Sequence, residues 1–101
     1  MASRLKLQTE FEEILGSRNV YFQPPSSVKM HYPAIRYSLS DLDGLHANDK
    51  MYKQMIAYEV ILIDPNPDNA YAQAILDMPY CSFDRSYTAD NLNHYVFTLY
   101  Y

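Results

Sequence analysis

The chain contains little glycine, little cysteine and little positive charge. Among its 101 residues are two glycines, one cysteine, eight Lys and Arg, and twelve Asp and Glu, which give a net charge of −4. Two separated glycines, Gly16 and Gly44, cannot form a glycine-rich phosphate-binding loop. Cys81 cannot form an internal disulfide and supplies too few thiolates for a zinc site, so we interpret it as a small apolar strand residue. The scattered basic residues argue against a DNA- or RNA-binding module.

Long hydrophobic runs are also missing. The longest, Met55–Ile63, is interrupted by Glu59 and falls well short of the roughly 20 residues of a membrane span. The first residues, Met1–Lys6, lack an apolar signal core, which predicts that the chain stays in the cytoplasm where it is made. The length and the 49% content of hydrophobic residues predict one folded domain over residues 1–101.

Tyrosine is abundant, with eleven residues beside four phenylalanines and no tryptophan. Tyrosine combines a large apolar face with one polar tip, so it suits surfaces that are wet before assembly and buried afterwards. Tyrosine also favours strands in any context. Composition alone therefore leaves an interface role and simple strand propensity open.

Periodicity and turn residues predict seven elements. A helix over residues 4–15 places Leu7, Phe11, Ile14 and Leu15 on one face and ends at Gly16. A second helix over 67–78 has Asn66 as N-cap and presents Tyr71, Ala72, Ile75, Leu76 and Met78 to a sheet. Strands are predicted at 19–23, at 34–39 with Ile35, Tyr37 and Leu39 buried, from residue 50 or 52 to 63, and at 80–87 and 94–101 around a turn at 88–93. The order α-β-β-β-α-β-β predicts an α+β fold, a small and mostly antiparallel β-sheet flanked by two helices.

The last strand has apolar or aromatic residues on both of its sides. Tyr95, Phe97, Leu99 and Tyr101 alternate with His94, Val96, Thr98 and Tyr100. Such a strand needs cover on both faces, and a domain of this size has little of its own to supply. We therefore expect a partner subunit to provide part of the cover.

No arrangement of residues indicates catalysis or a cofactor. His31, His46 and His94 are far apart in sequence and give no helical two-histidine metal face. Asp41-Leu-Asp43-Gly44 is similar to the start of a calcium loop but lacks the glycine and glutamate that would follow at its sixth and twelfth positions. Asp84, Arg85 and Asp90 flank a turn, where such residues usually cap backbone amides or form ion pairs. We expect a protein that is not an enzyme and carries no metal.

Four segments resemble a family of small neck proteins of tailed bacteriophages. They are Asn19-Val-Tyr-Phe-Gln-Pro-Pro25, His31–Tyr37, Tyr58–Asp68 and Tyr80–His94, and the Phe-Asp-Arg and Ala-Asp-Asn-Leu-Asn-His blocks of the last are the most specific. The chain is most similar to tail terminators, also called tail-completion or head–tail joining proteins, although it is short for that family. The neighbouring head-closure and adaptor proteins of the connector therefore stay open as an alternative.

The resemblance implies a ring of six copies that caps the head-proximal end of the tail tube and stops its growth. Its partners would be other copies of the chain, the tail tube protein and the head connector. It would belong to the virion, and genomic DNA would pass through an acidic lumen without specific binding. We expect no membrane partner.

Two sets of residues are expected to make these contacts. The subunit or partner interface is predicted at Tyr21, Tyr52, Tyr87, Tyr95, Phe97, Tyr100 and Tyr101. The polar segment Ser40–Lys53 is predicted to reach the tube or the connector through Asp41, Asp43, His46, Asp49 and Lys50. The strand at 19–23 or the C-terminal strand, acting as sheet edges, could pair across the subunit contact.

Two other classes of protein are alternatives to the phage neck hypothesis. A small phage-encoded inhibitor that binds a host protein is compatible with the charge and the size. A small enzyme would need a pocket of converging polar groups, which no part of the sequence indicates.

Overall fold

A computed structural model describes residues 4–40 and 56–101. Within them the order of elements is the predicted α-β-β-β-α-β-β, and the α+β fold is confirmed. The elements are α1 (Arg4–Leu15), β1 (Val20–Phe22), β2 (Ala34–Leu39), β3 (Ala57–Asp64), α2 (Tyr71–Leu76), β4 (Cys81–Ala89) and β5 (Leu92–Tyr100). The first part of the predicted third strand lies outside the described residues.

The five strands form one sheet in the order β1-β2-β3-β5-β4. β1 runs parallel to β2, and the other neighbours are antiparallel. The edges of the sheet are therefore β1 and β4. The expectation that the C-terminal strand could be an edge was wrong, because β5 lies between β3 and β4.

The core lies between the two helices and one face of the sheet. Leu7 and Phe11 of α1 and Ile75 of α2 are fully buried against Tyr37 and its sheet neighbours. The ring of Tyr37 lies 5.1 Å from that of Phe11, edge to face. Its hydroxyl donates to Gln8 Oε1 at 2.5 Å and accepts from Arg4 Nη1 at 3.1 Å. The predicted helical face of α1 is thus confirmed by the burial of Leu7, Phe11 and Leu15.

The stop signal at the end of α1 is also confirmed. Gly16 has φ +72° and donates its backbone N–H to the carbonyl of Glu12 at 2.8 Å. This left-handed conformation is one that glycine adopts at little cost. The chain then turns back into β1.

The second helix begins later than predicted, because asparagine side chains bind the backbone that would otherwise extend its start. Asn66 Oδ1 accepts from the N–H of Asp68, and Asn69 Oδ1 accepts from the first N–H groups of the helix, those of Tyr71 and Ala72. Asn69 therefore does the capping expected of Asn66. Ile75 is buried as predicted.

Two apolar residues predicted to be buried are instead exposed. Leu76 near the end of α2 is 37% exposed, and Leu39 at the end of β2 is 52% exposed. Each is the last residue of its element, where the facing layer no longer covers it.

The hairpin between β4 and β5 is tighter than the predicted six-residue turn. Its two turn residues, Asp90 and Asn91, have φ of +54° and +62°, as in a type I′ turn. Asp and Asn tolerate this left-handed region better than most residues. Both strands are consequently longer near the turn than the sequence indicated.

Candidate assembly surface

The edge strand β4 is the least covered element of the fold. Eight of its nine residues are exposed, and only Cys81 is partly buried. Phe83 is 49% exposed and Tyr87 is 42% exposed. Phe83 pairs with Phe97 of β5, which belongs to the helix-covered core, whereas Tyr87 pairs with His94. Because Phe97 and His94 are an odd number of positions apart, their side chains point to opposite faces of the sheet. β4 therefore exposes an aromatic ring on each of its faces.

A bulge interrupts β4 between these two aromatic residues. Phe83 pairs with Phe97 and Arg85 with Val96, so Asp84 is an extra residue in the strand. Arg85 Nη1 lies 2.7 Å from Asp84 Oδ2, with both side chains about half exposed. An exposed pair of this kind contributes only about 0–1 kcal/mol. Bulges and charged residues disfavour indiscriminate pairing of a sheet edge, so this edge favours side-chain contacts over the addition of a further strand.

Tyr87 forms a stacked pair with His94. Their ring centroids are 4.6 Å apart and the rings are inclined by 11°. His94 Nδ1 lies 3.1 Å from the Leu92 carbonyl oxygen, which orients the imidazole. A shallow cavity of about 260 Å³ adjoins the pair, lined also by Ser86, Thr88, Asn93 and Tyr95. The stack holds Tyr87 in a defined position at the surface, as a contact residue requires.

Three of the residues predicted at an interface serve the fold of the single chain. Phe97 is 1% exposed, so the expectation that it meets a partner is corrected: its ring is not on the surface of a folded copy. Tyr95 packs against the core and its hydroxyl donates to the Pro67 carbonyl at 3.3 Å. Tyr101 also packs against the core, and its hydroxyl donates to the Glu10 carboxylate. Burial and that carboxylate raise the pKa of Tyr101 to about 12.

The remaining predicted interface residues are spread over the sheet. The Tyr21 hydroxyl accepts from the backbone N–H of His31 at 3.1 Å, so it fastens the β1–β2 connection to β1. Tyr100 is partly buried and pairs with Ala57. Tyr52 and the predicted loop residues Asp41, Asp43, His46, Asp49 and Lys50 lie outside the described residues.

Sequence reasoning missed Phe83 and Tyr80 as surface residues. Tyr80 precedes β4, has φ +60° and is 49% exposed. The available signal was weak: the segment from Ser82 to Ala89 mixes two aromatic residues with six polar or small ones, which is unusual for a strand with helices packed over it.

Metal-binding clusters and membrane-spanning helices are absent from the part of the chain that the structure describes. In residues 4–40 and 56–101, no group of three or more His, Cys, Asp or Glu side chains is placed to hold a metal ion. No helix in these two ranges is both long enough and apolar enough to span a membrane. Burial raises the pKa of Cys81 to about 11, so its thiol is protonated at neutral pH and is a poor nucleophile.

Comparison of the chain with protein-family models, curated proteins and solved structures finds no match.

Proposed function

We propose that this chain is a structural subunit of the neck of a tailed bacteriophage. Copies of it form a ring on the head-proximal end of the tail tube, end the growth of the tube and join it to the head connector. The role is mechanical and needs neither a cofactor nor catalysis. The subunit is made in the host cytoplasm and becomes part of the virion.

The observation that carries the proposal is the exposure of β4. An edge strand with aromatic side chains exposed on both faces resembles half of an interface more than the outer surface of a monomer. Tyrosine and phenylalanine are enriched at the centres of protein interfaces. Phe83 and Tyr87 would gain cover from a neighbouring subunit without any change in the core behind them.

The overall charge also fits a channel for DNA. A net charge of −4 per copy multiplies around a ring and repels the phosphates of a passing duplex. DNA would then slide through the lumen without being held.

The test uses purified protein with and without purified tail tubes. Light scattering and negative-stain microscopy should show rings or ring-sized oligomers, and the tubes should carry a cap at one end only. A double variant, Phe83→Ser with Tyr87→Ser, should fold but leave the tubes uncapped. Val28→Ser, a change of an exposed apolar residue on the β1–β2 connection, reports whether the opposite side of the subunit contributes.

A wild-type protein that stays monomeric and leaves tubes bare would refute the proposal, and binding to isolated connectors instead of tubes would favour a head-closure role.

A further inference from the structure

The charges of this chain are unevenly distributed along the sheet. Residues 17–40 contain three basic residues, Arg18, Lys29 and Arg36, and no Asp or Glu. Residues 71–91 contain three carboxylates, Asp77, Asp84 and Asp90, and one basic residue, Arg85, a net charge of −2. The first range forms β1, β2 and their connection, and the second forms α2, β4 and the adjoining turns. We call these the basic end and the acidic end of the sheet.

The charges of both ends are accessible. Arg18, Lys29 and Arg36 are all exposed. At the acidic end all three carboxylates are exposed. The sheet order β1-β2-β3-β5-β4 places the two ends at opposite edges.

Exposed apolar side chains are concentrated at the same two ends. The basic end exposes Val28, Tyr32 and Leu39, and Leu5 of α1 is exposed beside it. The acidic end exposes Leu76, Tyr80, Phe83 and Tyr87. In contrast, the interior strands β3 and β5 carry no exposed residue. Each end therefore combines an apolar surface with charges of one prevailing sign, as interfaces with polar rims do.

We infer that neighbouring copies of this chain contact each other through these ends, the basic end of one copy against the acidic end of the next. The inference rests on the proposed ring and specifies its subunit contact. A ring needs two unlike surfaces on each subunit, and opposite charge makes this pairing favourable. Contact between two like ends would bring charges of the same sign together, which disfavours that contact.

Side chains of α1 contact the outer side of β1, and this affects how a neighbouring copy can bind there. Gln8 Nε2 donates to the carbonyl of Val20 at 3.0 Å, and the Arg4 guanidinium lies 4.4 Å from the centroid of the Phe22 ring. One backbone acceptor of β1 is therefore already used within the chain, and the bulge in β4 disfavours strand pairing from the other side of the contact. Both features favour a contact made by side chains.

A groove at the basic end matches the side chains of β4. It has a volume of about 270 Å³ and is lined by Pro24, Pro25, Ser26, Val28, Met30 and Arg36. Its prolines and Val28 suit an aromatic ring, and Arg36 suits a carboxylate beside that ring. β4 presents both in sequence, as Phe83 next to Asp84. The groove is thus the place on one copy where Phe83 of the next would be buried.

The surface is large enough for two such contacts per subunit. A stable interface buries about 800 Å² on each partner, and the chain exposes 6430 Å² in total. Two contacts would use roughly a quarter of that area.

Charge reversal tests the inference. One variant reverses the basic end (Lys29→Glu with Arg36→Glu), and a second reverses the acidic end (Asp77→Lys with Asp84→Lys). Glu13→Lys, on an exposed position of α1 outside both ends, is the control for a change in net charge. Circular dichroism and thermal unfolding confirm that each variant is folded, and multi-angle light scattering measures its mass.

We expect each reversed variant alone to associate at least about tenfold more weakly than the wild type. An equimolar mixture of the two should assemble again with the variants alternating, because every contact between unlike variants then joins ends of opposite charge. A chain with both ends reversed should assemble again, and Glu13→Lys should assemble like the wild type.

Two results would overturn the inference: wild-type assembly by either reversed variant, or a mixture that associates no better than the separate variants. Those results would leave the proposed neck function standing. Conversely, wild-type rings that show this charge dependence but never cap tail tubes would refute the neck function and leave the subunit contact intact.

Discussion

Phe83 and Phe97 allow a direct comparison between an exposed residue of the proposed contact surface and a buried residue of the core. The two rings face each other across β4 and β5, edge to face, with centroids 5.7 Å apart. Phe97 is 1% exposed and Phe83 is 49% exposed. Removing either ring abolishes the same aromatic contact, so the two variants differ chiefly in how much buried apolar surface each removes.

The expected costs follow from that difference. Phe97→Ala leaves a cavity in the core and should lower the free energy of unfolding by about 3–5 kcal/mol. Phe83→Ala loses roughly half of a full burial energy together with the ring pair, and should cost about 1–2 kcal/mol. Denaturation in urea, at a protein concentration low enough to keep copies apart, measures both values.

The two variants should also differ in assembly. Phe83→Ala should remain folded and weaken oligomer formation, whereas any effect of Phe97→Ala on assembly should parallel its loss of folded protein. If the two variants cost the same within about 1 kcal/mol in the separated monomer, Phe83 belongs to the core and the proposed contact surface is wrong.

Three further changes test the described geometry. Tyr37→Phe should cost about 1–3 kcal/mol because it leaves two polar partners of the hydroxyl unpaired in a mostly buried site; a neutral result in urea denaturation would mean that those hydrogen bonds contribute nothing net. Asn91→Gly should raise stability by about 0.5–1 kcal/mol, since φ is positive there, and a lower thermal midpoint would contradict the turn assignment. The hydroxyl of Tyr101, whose pKa is raised from 10 to about 12, should lose its stabilising effect as the pH rises from 10 towards 12, because the unfolded chain ionises first. Urea denaturation between pH 9 and 11.5 should show a smaller alkaline loss for Tyr101→Phe, and an equal loss would contradict the bond to Glu10.

The sequence predicted the elements because their signals are local. The helical spacing of Leu7 and Phe11, followed by Gly16, determined where α1 begins and ends. Errors arose where side chains compete with the backbone over a few residues. Asn69 rather than Asn66 caps α2, and the choice between two nearby asparagines depends on a turn geometry that composition does not specify.

The order of strands in the sheet could not be predicted in the same way. Apolar residues on both sides of β5 are equally compatible with a strand covered by another subunit and with an interior strand of its own sheet. The structure shows that β5 is interior, with Val96, Phe97 and Leu99 buried within the chain. Residues such as Phe97, expected at an interface, turned out to be core for this reason, whereas Tyr87 does lie at the surface.

The dimensions of the elements explain why β4 is left uncovered. A helix rises about 1.5 Å per residue and a strand about 3.3 Å, so the six residues of α2 span about 9 Å while the nine of β4 span about 30 Å. α1 packs over β1 and β2, at the opposite edge of the sheet. Lengthening α2 would cover Phe83 but would also abolish the acidic end as a contact surface. A short helix beside a long aromatic edge strand is therefore what a subunit needs if its neighbour is to complete the layer.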